Sequence, residues 1–71
     1  MQTVDFPLTD EYIELISLLK YLNIAQTGGH AKMLVDDGAV LVNGTLESRR
    51  RYKVRKGDIL VIGGEITVQI V

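Results

Sequence analysis

The sequence has no cysteine, one histidine and one proline. Without cysteine, neither a disulfide framework nor a thiolate-ligated zinc reinforces the modest core that 71 residues can build. His30, alone of its kind, leaves a histidine-based metal site without a ligand set. It also lacks the serine, cysteine or carboxylate pattern that would make a nucleophile or a relay, so the reading is a non-enzymatic chain with no cofactor and no small-molecule substrate. No apolar run approaches the roughly 20 residues a membrane helix needs, and no signal peptide is visible, which points to a soluble cytoplasmic protein without a membrane partner.

What is present is ordinary globular material, 46% hydrophobic and 24% charged, read as a single domain over residues 1–71. The net charge of −1 argues against a nucleic-acid partner until its distribution is considered. Asp5, Asp10, Glu11 and Glu14 precede the first base, Lys20. Arg49, Arg50, Arg51, Lys53, Arg55 and Lys56 then hold six of the eight basic residues, with no acid between them. The field at a surface depends on charge within about a Debye length, roughly 8–10 Å, so segregation matters more than the sum.

Val4 and Phe6 alternate as in a short edge strand, which Pro7 discourages from continuing. Thr9 suits an N-cap with Asp10 and Glu11 in the first turn, and Tyr12, Leu15, Ile16, Leu19 and Leu22 form one apolar stripe. A helix of about three turns, ending near Asn23, is expected. Thr27 is the next N-cap; Ala31, Leu34 and Val35 give a shorter apolar face, and Gly38 supplies a left-handed stop. The period then switches to two. Val40 and Val42 lead into Asn43-Gly44, the strongest short hairpin signal, with Thr45 to Glu47 as the return strand. Tyr52 to Val54 is a further short piece closed by a Lys56-Gly57-Asp58 turn. Ile59 to Ile62 and the alternation of Ile66, Val68 and Ile70 flank a Gly63-Gly64 hairpin. The class is α+β, two helices packed on a small, mainly antiparallel sheet.

Two stretches carry candidate chemistry. Gly28 and Gly29 open the second helix, where they either expose backbone N–H groups to an anion or allow close helix packing. Lys32 adds a mobile charge, and His30 lies roughly 160° from it around the helix, so the two serve one ligand only if it straddles the helix start. Asp36-Asp37 reads as a solvated helix end. The run from Arg49 to Lys56 is either a solvated surface or a phosphate-binding one; it is arginine-weighted, as phosphate recognition favours. Tyr52 within it stacks on an unpaired base or packs against the sheet. Strand alternation splits the run between two faces. With about four phosphate contacts, affinity would fall roughly a hundredfold between 50 and 200 mM salt.

In this order and spacing the residues resemble the S-four-type RNA-binding domain, named after a ribosomal small-subunit protein, whose fold is the alpha-L RNA-binding motif. The resemblance covers about Glu14 to Leu60. It rests on Leu15 and Leu19, on Ala31, Lys32, Leu34 and Gly38, on Val40, Val42, Asn43 and Gly44, and on Val54, Gly57, Asp58 and Ile59. Two departures stand out. The family often has Arg-Leu-Asp where this chain has Glu14-Leu15-Ile16, and Ser-Arg where it has Thr27-Gly28; both missing arginines usually face RNA. The Thr-Gly-Gly-x-Ala-Lys version, with a basic run after the hairpin, resembles the small stand-alone bacterial proteins of the YbcJ/YaaA type. In larger relatives the domain delivers rRNA-modifying or tRNA-charging enzymes to RNA, and no such enzyme domain fits in this chain.

The resemblance implies binding of structured RNA, ribosomal or ribosome-associated. The expected surface is Thr27, Gly28, Gly29, His30, Lys32, Asn43, Arg49, Arg50, Arg51, Lys53, Arg55 and Lys56. Two rivals stand beside it. A helix-turn-helix DNA binder has the same two-helix outline, and a protein-interaction subunit would dock a basic partner on an acidic first helix, through Glu11 and Glu14.

Overall fold

Alternation at period two builds the sheet. The computed structural model describes residues 2–71, with strands β1 (Gln2–Phe6), β2 (Ile13–Glu14), β3 (Val40–Val42), β4 (Thr45–Leu46), β5 (Lys53–Val54), β6 (Ile59–Ile62) and β7 (Ile66–Ile70). The helices are α1 (Leu15–Tyr21) and α2 (Gly28–Asp36). Five strands form one sheet in the order β1-β7-β6-β3-β4, antiparallel except where β1 runs parallel to β7. β2 and β5 form a separate antiparallel pair. The α+β class with a mainly antiparallel sheet is therefore as the sequence implies.

Strand register explains the core. Val4, Val68, Leu60 and Val42 align in one row across four strands, so their side chains share a face. Leu15, Leu18 and Leu19 from α1 and Ala31 and Val35 from α2 cover that face, joining Val40, Leu60 and Val68 in a single buried cluster. α2 stops where expected. Gly38 follows it at φ 75°, a conformation that costs glycine no Cβ clash. Asn43 and Gly44 take φ 53° and 83°, the pair of positive angles that lets a two-residue turn follow the strand twist between β3 and β4.

The first helix differs from its periodicity. It starts at Leu15, not after Thr9, and Tyr12 at the head of the apolar stripe is exposed. Asp10 and Glu11 precede β2 and lie on no helix. The physical reason is a partner far along the chain: Ile13 and Glu14 pair with Val54 and Lys53 as a strand. The amides of Leu15 and Ile16 then donate to the carbonyls of Tyr52 and Arg50, at 2.9 and 3.2 Å. Those carbonyls satisfy donors that a side-chain cap would otherwise have to meet, and Glu14 at the N-cap makes no such bond. The acidic first-helix face proposed from Glu11 and Glu14 is thus not formed.

Candidate nucleic-acid interface

Val54 is fully buried, which fixes the orientation of the strand that carries it. With Tyr52 and Val54 directed inward, the alternate residues Arg51, Lys53 and Arg55 project outward. Together with Arg49 they border an open cleft of about 390 Å³ around Tyr52. The expected splitting of the basic run is real. Arg50 and Lys56 do not line this cleft.

Acids absent from the run in sequence return to it in space. Arg49 donates through Nε and Nη2 to Glu47 at 3.0 and 3.1 Å, and its backbone amide donates to the same carboxylate at 2.9 Å. Arg50 forks onto Asp36 at the end of α2, its Nε at 3.0 Å from Oδ1. Arg51 donates from Nε to Glu14 at 2.9 Å. Of three consecutive arginines, Arg49 closes a local bond onto Glu47 just after β4, while Arg50 and Arg51 tether the segment before β5 to α2 and to the start of α1. The hydrogen bonds from Arg49 hold the Glu47 carboxyl below its ordinary range, against the opposing effect of burial. Those from Arg50 do the same for Asp36, with Lys32 adding a smaller electrostatic effect. The guanidinium groups of Arg49 and Arg50 move up in response. Among the described residues Lys53, Arg55 and Lys56 make no ion pair. The Lys53 ammonium instead sits over the Tyr12 ring, 5.0 Å from its centroid.

The start of α2 is a second, separate cluster. The Thr27 hydroxyl accepts from the His30 amide at 3.0 Å, and His30 Nδ1 accepts from the Gln26 amide at 3.3 Å. His30 is a capping residue in this arrangement. A Cβ at Gly28 would meet nothing within 4 Å, and one at Gly29 only the Thr27 hydroxyl at 3.8 Å. A side chain at either glycine would therefore meet no neighbouring helix. Their amides donate to no acceptor among the described residues. Lys32 is exposed on the same helix. No hydrogen bond or ion pair among the described residues joins this cluster to the cleft.

Asn43 has internal work. Its carboxamide oxygen accepts from the Ile59 amide at 2.9 Å, and its nitrogen donates to Asp58 at 3.0 Å. Asp58 in turn accepts from the Arg55 amide at 3.0 Å, so Asn43 holds the turn that presents Arg55. The residues that sequence reasoning did not assign to the site are Tyr12 and the carboxylates Glu14, Asp36 and Glu47. Only Glu47, two positions before Arg49, is close enough in sequence to have signalled its partner. Among the described residues there is no group of three potential metal ligands, and no helix long and apolar enough to cross a membrane.

A two-helix layer on this sheet, with a basic segment pinned beside the first helix, defines a family. The chain belongs to the S4 domain family, whose model matches residues 6–71. The sequence resemblance thus holds and extends at both ends beyond Glu14–Leu60. The chain is 38% identical over 61 residues to the probable ribosome maturation protein RlbA of Bacillus subtilis, covering 86% of each. It is 35% identical over 60 residues to the putative RNA-binding protein YbcJ of Escherichia coli, covering 84% of each. The solution structure of that YbcJ, described as revealing an αL motif involved in RNA binding, matches with a TM-score of 0.71 at 34% identity, over 94% of this chain and 85% of YbcJ.

Proposed function

We propose that this protein is a non-enzymatic, cytoplasmic RNA-binding module that recognises the backbone and shape of structured RNA, ribosomal or ribosome-associated. The observation that carries the reading is the cleft bordered by Arg49, Arg51, Lys53 and Arg55 on a chain whose net charge is −1. Four cations gathered at alternate positions on one face serve a polyanion, and A-form RNA is read mostly through phosphates and shape. The named functions of RlbA and YbcJ, ribosome maturation and RNA binding, agree with it. The amides of Gly28 and Gly29, with Lys32, are proposed as a second phosphate contact.

Because the Nε–Nη2 edge of Arg49 is engaged by Glu47, about three phosphate contacts are expected in the cleft, from Arg51, Lys53 and Arg55. Filter binding to folded rRNA fragments should then weaken roughly forty-fold between 50 and 200 mM salt. Binding that is absent at 50 mM, or insensitive to salt, overturns the reading. A helix-turn-helix DNA binder is disfavoured by α2, whose end carries Asp36 and Asp37 and whose start is glycine. Competition between duplex DNA and folded RNA decides the matter, and a DNA preference supports the rival.

A further inference from the structure

The manner in which Arg49 is held separates it from the other cations of the cleft. Its Nε and Nη2 both donate to Glu47. A guanidinium carries its donors in the plane of the group, so this pair of bonds commits the Nε–Nη2 edge to the carboxylate and fixes the orientation of the plane. Arg49 Cζ lies over the Tyr52 ring, 5.0 Å from its centroid, while the arginine side chain remains 72% exposed. Arg49 therefore presents, beside its free Nη1 donors, the flat surface of a cation backed by an aromatic ring. Nucleobases stack on guanidinium planes and aromatic rings alike.

Phosphate donors stand beside this platform. Arg51 uses only Nε on Glu14, leaving both terminal nitrogens for another partner, and the Lys53 and Arg55 side chains make no ion pair among the described residues. A stacking surface next to three phosphate donors, in about 390 Å³, suits a nucleotide whose base is out of the helix. Bases inside an RNA duplex keep their faces covered by neighbours and cannot use it.

Resting on the RNA-binding reading above, we infer that this cleft takes one unpaired nucleotide of the RNA. Its base stacks on the Arg49–Tyr52 platform and its flanking phosphates meet Arg51, Lys53 and Arg55. Glu47 is the positioning residue that keeps Arg49 over the ring.

The test uses two RNA hairpins, one fully paired and one identical but for a single bulged 2-aminopurine. Affinity is read by anisotropy of a terminal dye, and stacking by 2-aminopurine emission. The bulged hairpin is expected to bind about tenfold more tightly, the scale of one base stack, with its emission quenched on binding. Tyr52→Leu should abolish the quenching and the preference for the bulge, Arg49→Lys should abolish the quenching, and Tyr52→Phe should retain both. Glu47→Gln should weaken the quenching without weakening the paired hairpin, since it removes a negative charge, an outcome that a merely structural role would not give. Equal affinity for the two hairpins with unchanged emission overturns the nucleotide slot and leaves RNA binding standing. No binding of either hairpin at 50 mM salt overturns both readings.

Discussion

The two halves of the basic run, identical in kind on paper, are used differently in the fold. Arg49, Arg50 and Arg51 each meet a carboxylate, whereas Lys53, Arg55 and Lys56 form no ion pair among the described residues. The first half fastens a segment that has no regular structure of its own to the loop after β4, to α2 and to the start of α1. The second half, starting on β5, presents charge. A positive residue therefore contributes to a partner's binding according to what already neutralises it, not according to its place in a run. Arg51 belongs to both halves, because its single bond to Glu14 leaves most of its donors available.

The sharpest way to break this contrast is to remove the outward-facing set. Arg51→Ala, Lys53→Ala and Arg55→Ala together should lower the slope of log affinity against log salt by about three, with the fold intact by circular dichroism. Arg50→Ala, taken from the same run, is expected to change RNA affinity less than about twofold, because its fork is occupied by Asp36. Equal losses from the two variants would mean that the ion pairs open on binding and that the contrast is false.

Stability should sort the halves in the opposite sense. Glu47 is 9% exposed and accepts three hydrogen bonds from Arg49, so Glu47→Ala should cost about 1–2 kcal/mol in urea denaturation. Lys56→Ala should stay within about 0.5 kcal/mol. Acid gives a smaller effect with a defined sign. The Glu47 and Asp36 carboxyls are both held below their ordinary values of 4.5 and 3.8, so their contribution is complete above those values and is lost as pH falls through the lower, folded ones. Stability should be flat from neutrality to about pH 5 on this account and decline below it, followed by thermal denaturation across pH. NMR titration of Glu47 above the ordinary glutamate range would contradict it. A small change is also expected from Asp36→Asn, whose pair with Arg50 is exposed on both sides: the thermal midpoint should scarcely move. RNA affinity at low salt should rise slightly as Arg50 is released.

Much of the fold is legible because its signals are local. Thr27 caps α2, Gly38 ends it, Asn43-Gly44 turns between β3 and β4, and the alternation in β6 and β7 sets their inward faces. The start of α1 is not legible in that way. Tyr12, Leu15, Ile16 and Leu19 are spaced for a helix, but Ile13 and Glu14 are claimed by a strand whose partner lies about forty residues later, and pairing at that distance leaves no periodic trace. The same limit applies to the site. Its cations and Tyr52 can be read from the run itself, while Glu14 and Asp36 become visible as partners only once the chain has brought them alongside. Alternation predicts that the run divides between faces; which residues line the cleft follows from the burial of Val54.

The parallel pairing of β1 with β7 has a consequence for how the protein is made. Gln2 is aligned with Ile66 and Phe6 with Ile70, so β1 pairs with a strand about 64 residues further along the chain. During translation β1 has no partner while α1, α2 and the β3–β4 hairpin are already able to form from neighbouring residues. Phe6, a core residue, and the open edge of β1 stay without their native partners until β7 has been made. The closing step is one of long-range registration, and the interval before it is when this small protein is most exposed to mispairing.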